Sequence, residues 1–339
     1  MYIKHPINIA QIGCGYWGPN LLRNFSALTD CVVKYVVEAS PERRAFVQAN
    51  YPRTIAVESL ETALTDAEVD AVVIATPAKT HFPLAQQALN AGKHVFVEKP
   101  LATKVAEVDE LALLAEKGRR VLMVGHTFLY HAPVLYVKQL ITSGELGDIR
   151  YIYSQRLNLG RIRSDIDTLW NFAPHDVSII QYWLGDPEPL GVFRLGMDYI
   201  QEGVEDVVFL NILYPNKVIA NVHVSWLDPQ KVRKMVVVGS RRMVVYDDVA
   251  EDKIAIYDKG IDRKAVLGEN MDFDRPQAVQ FNYRSGDILL PQVKVKEPLQ
   301  AEAQEFLDSI RQGRSPLTNA HHARRVIGVL EQARVIQCG

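Results

Sequence analysis

The feature that most constrains the fold of this chain is a glycine motif between an apolar run and a helical stretch. Gly13, Gly15 and Gly18 directly follow the apolar run Ile7–Ile12 and open a helical stretch to about Leu28. Gly13 permits a tight turn, Gly15 lets the backbone approach a pyrophosphate, and Gly18 allows a helix and a strand to pack closely. The free N–H groups at the start of a helix favour phosphate binding. The motif therefore predicts a dinucleotide-binding unit.

An acidic residue indicates which dinucleotide is bound. Glu38 lies twenty positions after Gly18, at the end of the next apolar run. It is expected to accept hydrogen bonds from the adenosine ribose hydroxyls and to repel a 2′-phosphate, so NAD is favoured over NADP. Arg43 is close enough in sequence to reach a 2′-phosphate, although an arginine on a helix face is usually solvated. Tyr16 and Trp17, inside the motif, are expected beside the cofactor.

Apolar runs alternate with amphipathic stretches up to residue 124, which predicts a doubly wound α/β domain over residues 1–124. Their near-continuous apolar character is typical of parallel strands covered on both faces. The predicted strands are Ile7–Ile12, Cys31–Glu38, Ala71–Ala75, His94–Glu98 and Val121–Gly125. The predicted helices are Pro41–Asn50, His81–Ala91 and Ala106–Lys117.

A different pattern begins after Gly125 and predicts a second domain over residues 125–339. Short alternating segments separated by turn residues favour a mainly antiparallel sheet. These segments are Asp206–Leu213, Val218–Trp226, Met235–Val238, Met243–Tyr246 and Ile254–Tyr257. Residues 260–290 are polar and weakly patterned, which predicts a surface loop. Helices are predicted over Pro133–Thr142, from about Pro174, over Gln300–Gln312 and over His321–Ile336.

Composition narrows the class of protein. The 339 residues suffice for two domains, and a net charge of −2 gives no basic excess for nucleic acid or an anionic membrane. The three cysteines lack metal-ligand spacing, so no metal site is expected. We find no signal-peptide pattern and no apolar stretch long enough to span a membrane. The expectation is a soluble, cytoplasmic protein.

The segment Ala75–Pro100, together with the glycine motif, resembles the Gfo/Idh/MocA family of oxidoreductases. Its most specific part is the sequence Glu-Lys-Pro at positions 98–100. The resemblance implies an NAD-dependent sugar oxidoreductase with a Rossmann domain, followed by an α/β domain with a large, open, mainly antiparallel sheet. It also implies that substrate binds between the domains beside the nicotinamide, and that the protein is a homodimer or homotetramer.

The resemblance also implies catalytic residues. Lys99, which follows the cofactor-side residue Glu98, lies where the family has its catalytic lysine, and His175 lies where it has a histidine. Hydride can leave a carbinol carbon only as the hydroxyl proton departs, so a donor and a base are both needed. Asn171 replaces the aspartate that the family has four residues before the histidine, and it cannot neutralise an imidazolium. Asp176 is expected to have a structural role near a helix start.

Other positions follow from the same resemblance. Thr76, Pro77 and His81 are expected on the nicotinamide side of the cofactor, and His126 and Tyr130 are expected near the substrate. For His81 and Tyr130, a capping or packing role is an equally good interpretation.

The stretch from Arg156 to Arg163 suggests a substrate. If it is extended, Arg161 and Arg163 share one face, and two guanidinium groups suit phosphate oxygens. With Trp170, the stretch resembles the branch of the family that oxidises nucleotide sugars such as UDP-N-acetylglucosamine, with C3 as the expected carbon. The alternative is a pair of solvated or ion-paired arginines.

Three other functions stay open: a dehydrogenase of a free sugar or inositol, an NAD-dependent glycosidase, and a catalytically silent NAD-binding regulator. The presence of both Lys99 and His175 argues against the silent regulator, whereas Asn171 is consistent with it. NADH formation and aglycone release would separate these classes.

Overall fold

The computed structural model describes residues 5–160, 162–164, 166–265, 279–294 and 296–335. The chain divides into two units. The first unit contains Met1–Ala132, Val177–Asp186 and Val295–Ala333. The second contains Pro133–Asp176, Pro187–Lys294 and Arg334–Gly339. The first unit thus extends past the expected boundary at residue 125 and takes in two later segments of the chain.

Strands and helices alternate along the first half of the chain, and strands predominate in the rest. The strands are β1 (Ile7–Ile12), β2 (Cys31–Val37), β3 (Ile55–Val57), β4 (Ala71–Ile74), β5 (His94–Glu98), β6 (Leu122–Gly125), β7 (Ile149–Leu157), β8 (Gly191–Met197), β9 (Val207–Tyr214), β10 (Val218–Ser225), β11 (Val232–Gly239), β12 (Met243–Asp247), β13 (Ile254–Ala265), β14 (Val279–Leu289) and β15 (Arg334–Val335). The helices are α1 (Gly18–Ser26), α2 (Pro41–Asn50), α3 (Leu60–Thr65), α4 (His81–Asn90), α5 (Val105–Gly118), α6 (Ala132–Thr142), α7 (Thr168–Leu184), α8 (Pro298–Gln312) and α9 (Ala320–Gln332).

The sheet of the first unit has six parallel strands in the order β3-β2-β1-β4-β5-β6. This is the doubly wound order, so the predicted α/β class and all five predicted strands are confirmed. The carboxyl ends of β1, β4 and β5 lie at one edge of the sheet. The residues that follow these three strands are therefore brought to the same edge, where ligands bind in such folds.

Helices cover the sheet with the apolar faces that their sequences predict. In α5, Val108, Leu111 and Ala115 are buried. Phe306 of α8 contacts Phe96 of β5 edge to face, with ring centroids 5.8 Å apart. Helix α8, which is distant in sequence from the parallel strands, thus contributes to the core of the first unit.

The second unit contains a nine-stranded sheet in the order β14-β13-β12-β11-β7-β10-β9-β8-β15. The pairs β10–β7 and β15–β8 are parallel, and the other pairs are antiparallel. The prediction of a large, mainly antiparallel sheet is confirmed.

The prediction of a surface loop over residues 260–290 was wrong for residues 260–265 and 279–289, and residues 266–278 lie outside the described residues. The strands β13 and β14 pair over this region, with Gly260 opposite Arg284 and Ile261 opposite Tyr283. β14 is the edge strand and β13 is its neighbour. Both strands carry many polar residues, so they lack the apolar alternation that marks a half-buried strand. Backbone pairing, which the side-chain pattern does not reveal, determines the structure here.

Two helix ends also differ from the prediction. Helix α7 begins at Thr168 and not near Pro174, because the Asp167 carboxylate accepts a hydrogen bond from the N–H of Trp170 and caps the helix. The last helix ends at Gln332, and Arg334–Val335 pairs with β8 as a strand. Within the part of the chain that the structure describes, we find no helix with the length and apolar character that a membrane crossing requires.

Candidate functional site

The glycine loop after β1 has a geometry that only glycine tolerates at two positions. Gly13 has a φ of +91°, and a Cβ there would lie 2.7 Å from the carbonyl oxygen of Ala75. A Cβ on Gly18 would lie 2.6 Å from the carbonyl oxygen of Gly13. A Cβ on Gly15, in contrast, would meet no atom within 4 Å. The backbone at Gly15 is open to an approaching group beside the start of α1, so this loop fits a pyrophosphate.

A buried glutamine that the sequence analysis does not single out supports this loop. Gln11 is fully buried in β1, and its Nε2 donates to the carbonyl oxygens of Gly13 and Gly18, each at 2.9 Å. The two hydrogen bonds hold both ends of the loop. A polar residue within a buried apolar strand is the signal that could have identified Gln11 from the sequence, because such a group needs partners.

Glu38 and Arg43 lie against the same loop. One carboxylate oxygen of Glu38 accepts from the N–H of Cys14 at 2.7 Å, and the other accepts from the N–H of Ser40 at 2.9 Å. The Arg43 guanidinium donates to the carbonyl oxygens of Cys14 and Gly15, at 3.3 and 3.2 Å. Arg43 is exposed but fixed by these contacts, so both predicted ribose-side residues are located beside the glycine loop.

The Glu-Lys-Pro segment is linked to the glycine loop through a tryptophan. Tyr16 is exposed, whereas the Nε1 of Trp17 donates to Oε1 of Glu98 at 2.7 Å. Glu98 ends β5, and Lys99 follows it before a cis peptide bond to Pro100. Burial raises the pKa of the Glu98 carboxyl to about 7, while the Lys99 charge and the indole N–H act in the opposite direction.

His81 connects two loops at the ligand-binding edge of the sheet. Its Nδ1 lies 2.7 Å from the carbonyl oxygen of Pro100, and its Nε2 lies 2.8 Å from that of Thr76. The ring is 1% exposed, and burial lowers its pKa. Pro77 follows Thr76 and precedes a short 3₁₀ turn. His81 thus holds the loop after β4 against the loop that contains Lys99.

His126 and Tyr130 are packed inside the first unit. His126 is 2% exposed, and its ring meets that of His322 edge to face, with centroids 5.4 Å apart. Burial lowers the pKa of His126 well below its usual range. The Tyr130 hydroxyl lies 3.1 Å from Oγ1 of Thr318. These contacts agree with the packing interpretation of Tyr130. His126 is also packed against other residues of the first unit.

In the second unit, the predicted catalytic residues lie on helix α7. Asn171 and His175 are half-buried and four positions apart, so their side chains share one face of the helix. Trp170 lies in the first turn and is also half-buried. The helix continues through Pro174, so the spacing between the amide and the imidazole is that of one helical turn.

Asp176, the next residue of α7, is fully engaged in a buried cluster. Its carboxylate accepts from Nε of Arg156 at 2.6 Å and from Oγ of Ser154 at 2.5 Å. Asp176 is 1% exposed and Arg156 is 6% exposed. Asp176 thus has a structural contact, but it is an ion pair from the middle of α7 to strand β7 and not a contact near the helix start. This carboxylate is therefore committed to Arg156 and Ser154.

The expected arginine pair has a different setting. Strand β7 ends at Leu157, and Arg163 lies in the following loop, where its carbonyl oxygen accepts from Nε2 of Gln201 at 3.1 Å. The argument from alternating strand side chains therefore does not apply to Arg163. Arg161 lies outside the described residues. Among those residues, we find no group of His, Cys, Asp or Glu side chains that could hold a metal ion.

Two family models match the chain. The model described as an oxidoreductase family with an NAD-binding Rossmann fold matches residues 7–126. The model of the GFO/IDH/MocA C-terminal domain matches residues 134–245. The two matches together cover more than half of the chain and fall in both sheets.

Individual relatives differ in their substrates. UDP-N-acetylglucosamine 3-dehydrogenase from Acidithiobacillus ferrooxidans is 29% identical over 325 residues, which are 96% of this chain and 95% of that protein. Its solved structure has a TM-score of 0.79 and covers 97% of this chain and 96% of its own. The structure of a putative oxidoreductase from Magnetospirillum magnetotacticum has a TM-score of 0.81 at 26% identity. The match covers 97% of this chain and 100% of that one. A 4-carboxy-2-hydroxymuconate-6-semialdehyde dehydrogenase from Sphingobium is 32% identical over 53% of this chain and 59% of its own.

Proposed function

The chain belongs to the Gfo/Idh/MocA family of NAD-binding oxidoreductases, and from this premise we propose that it oxidises a secondary hydroxyl of a nucleotide-linked sugar. We name UDP-N-acetylglucosamine as the substrate and C3 as the carbon. The observation that carries this proposal is the similarity to UDP-N-acetylglucosamine 3-dehydrogenase over 96% of the chain. The presence of both Lys99 and His175 supports it.

The residues of the chain have distinct tasks in this reaction. The glycine loop and the start of α1 would hold the pyrophosphate of NAD, which when bound supplies the acceptor for the hydride. Lys99 donates a hydrogen bond to the substrate oxygen as that oxygen becomes a carbonyl. His175 accepts the hydroxyl proton as the C–H bond breaks. One hydride and one proton leave the carbinol, which balances the oxidation to a ketone.

Because Asn171 replaces the family's aspartate, the proposed base His175 has no negative charge at this position of the helix. The Asn171 amide shares a helix face with His175 and can orient the imidazole, but it cannot neutralise the imidazolium that proton transfer creates. Asp176 cannot take over this task, because its carboxylate is already bonded to Arg156 and Ser154. In this proposal, therefore, His175 works without a carboxylate from α7.

The preference between cofactors rests on Glu38. A carboxylate at the edge of the glycine loop accepts hydrogen bonds from a ribose diol and repels a 2′-phosphate. The bonds from Cys14 and Ser40 use one acceptor site on each oxygen and leave others for the ribose. We therefore propose NAD as the cofactor. Arg43, bonded to the loop carbonyls, is committed to the loop and not to a phosphate.

The nucleotide part of the substrate is assigned to the loop after β7. Arg163 in this loop, together with Arg161, would bind the diphosphate, since guanidinium groups form paired hydrogen bonds with phosphate oxygens. A substrate without a nucleotide is the second candidate, because a relative that is 32% identical over 53% of this chain is named a 4-carboxy-2-hydroxymuconate-6-semialdehyde dehydrogenase.

We also propose that the protein forms a homodimer or homotetramer through the nine-stranded sheet. Phe193 and Leu195 of β8 and Phe209 of β9 are at least 36% exposed on one face, and Ile219 of β10 and Tyr151 of β7 continue that face. A contiguous apolar surface of this kind usually marks an interface. Sedimentation of the wild type and of a Phe209→Glu variant tests this proposal. The wild type should sediment as a dimer or tetramer and the variant as a monomer or smaller oligomer, and an unchanged variant would contradict the proposed surface.

A substrate panel tests the proposed activity. UDP-N-acetylglucosamine, its uronic acid, dTDP-hexoses, free glucose and inositol are each supplied with NAD, and NADH formation is followed. The nucleotide sugars should react, and Lys99→Ala and His175→Ala should each lower turnover by about 10²–10⁴-fold, the usual contribution of a positioned proton-transfer group. Fast oxidation of glucose or inositol with no reaction of any nucleotide sugar would contradict the proposal.

A further inference from the structure

Two acidic side chains of the first unit, Glu98 at the end of β5 and Glu302 in α8, both lie against the short segment from Gly125 to Thr127. Gly125 of β6 is opposite Glu98 in register, and a Cβ on Gly125 would lie 3.0 Å from the Glu98 carboxylate. Two residues further on, Oγ1 of Thr127 donates to Oε2 of Glu302 at 2.7 Å. Gly125 thus leaves room for the Glu98 carboxyl, and Thr127, two residues further along the same segment, binds the Glu302 carboxyl.

The two carboxyl groups have different surroundings. Glu302 is fully buried, and its Oε1 has no hydrogen-bond partner among the described residues. Burial and the Glu98 charge raise the pKa of Glu302 well above its usual range, so it keeps its proton. Glu98 is only half-buried, and it receives the indole N–H of Trp17 and lies beside Lys99. Burial raises the pKa of Glu98 to about 7, and the Lys99 charge and the Trp17 indole N–H oppose that rise.

Apart from Lys99, the titratable groups described around this pair have pKa values shifted towards the neutral form. His81 and His126 both experience the charge of Lys99, and burial lowers the pKa of each. Tyr130 faces Glu302, and burial raises the pKa of its hydroxyl. Among these groups, Glu98 is therefore the one whose charge changes near neutral pH, next to the cationic Lys99.

We propose that Glu302 is the permanently neutral member of this pair, that Glu98 carries its single negative charge, and that this charge makes the site prefer oxidised NAD to NADH. The nicotinamide ring is cationic in the oxidised cofactor and neutral in the reduced one, so only the oxidised ring is attracted by a nearby carboxylate. Glu98 lies at the strand end where parallel folds bind their ligands, and its Trp17 contact ties it to the glycine loop. The inference concerns the cofactor and does not depend on which sugar is oxidised.

Cofactor binding measured across neutral pH tests the role of Glu98. The dissociation constants of NAD and NADH are determined without any sugar, from about one pH unit below to about one unit above neutrality. In the wild type, the preference for NAD should increase on the order of tenfold as pH rises, because Glu98 gains a negative charge at the ligand-binding edge of the sheet. Glu98→Gln should remove this pH dependence. Glu305→Gln, on the same helix as Glu302 but paired with Arg314, is the matched control and should retain it.

Infrared spectroscopy tests the assignment of the proton to Glu302. At a pH above the titration of Glu98, the carbonyl-stretch band of a protonated carboxyl group should be present in the wild type and in Glu98→Gln. It should be lost in Glu302→Gln, which replaces a neutral acid by a neutral amide of the same shape. Thermal unfolding establishes that each variant is folded before it is compared.

Three results would overturn the proposal. They are a cofactor preference that does not change with pH, a preference that Glu302→Gln abolishes while Glu98→Gln keeps it, and a wild-type spectrum without the carboxyl band. Because no sugar is used, none of these results bears on the proposed substrate, and failure of the substrate panel would leave this inference intact.

Discussion

Nε of Arg156 donates a hydrogen bond to the Asp176 carboxylate at 2.6 Å, and both side chains are buried in the second unit. Removing one partner leaves an uncompensated buried charge, so Asp176→Ala should lower the free energy of unfolding by about 3–5 kcal/mol. Urea unfolding measures this change. The double variant Arg156→Met/Asp176→Leu should recover most of the loss, because it removes both charges. A double variant as unstable as the single one would contradict the ion-pair interpretation.

Two substitutions in the glycine loop should have different effects on stability and on cofactor binding. Gly13→Ala places a Cβ against the Ala75 carbonyl at a positive φ, and this strain should cost about 1–3 kcal/mol of stability. Gly15→Ala places a Cβ in open space, so it should leave stability almost unchanged and still weaken NAD binding by blocking the approach of the pyrophosphate. Thermal unfolding and NAD titration of both variants test this. Unimpaired NAD binding by Gly15→Ala would show that the phosphates bind elsewhere.

The sequence predicts the first sheet well because each β–α unit is local and its strands are apolar on both faces. The same reasoning fails for β13 and β14, whose polar residues hide their pairing. It also fails for Glu302, because a buried polar group is recognised by its partners and its partner Thr127 lies 175 residues away in the chain. A sequence motif can locate the catalytic candidates, whereas the contacts that support them can be identified only from the structure.

The cofactor preference should depend on Glu38. Glu38→Ser removes the charge that repels a 2′-phosphate, so the preference for NAD over NADP should fall by roughly tenfold or more, in line with about 1.5–3 kcal/mol for hydrogen bonds to a charged group. Some loss of NAD affinity should accompany it, because the Cys14 N–H loses its acceptor. Titration of both cofactors measures the change, and Glu42→Ser in the exposed first turn of α2 is the control. Tighter binding of NADP by the wild type would reverse the assignment and make Arg43 a phosphate ligand.

Asn171 provides a test of the base. Asn171→Asp introduces a carboxylate one helical turn from His175, which should stabilise the protonated imidazole. The acidic limb of the pH–rate profile should therefore move to higher pH while turnover at its optimum is largely retained. The neighbouring Trp170→Phe variant controls for a general disturbance of the first turn of α7. Complete loss of activity in Asn171→Asp would instead show that the amide itself contacts the substrate.

The most direct measurement of the proposed function follows the hydride itself. UDP-N-acetylglucosamine with deuterium at C3 is incubated with the protein and NAD, and the reduced cofactor is analysed by mass spectrometry. The account predicts that the deuterium appears in NADH and that the sugar becomes a 3-ketone, with Lys99→Ala strongly reducing both. Reduced cofactor without deuterium would show that another carbon is oxidised. The central claim would be contradicted if UDP-N-acetylglucosamine gave no NADH while a sugar without a nucleotide was oxidised rapidly.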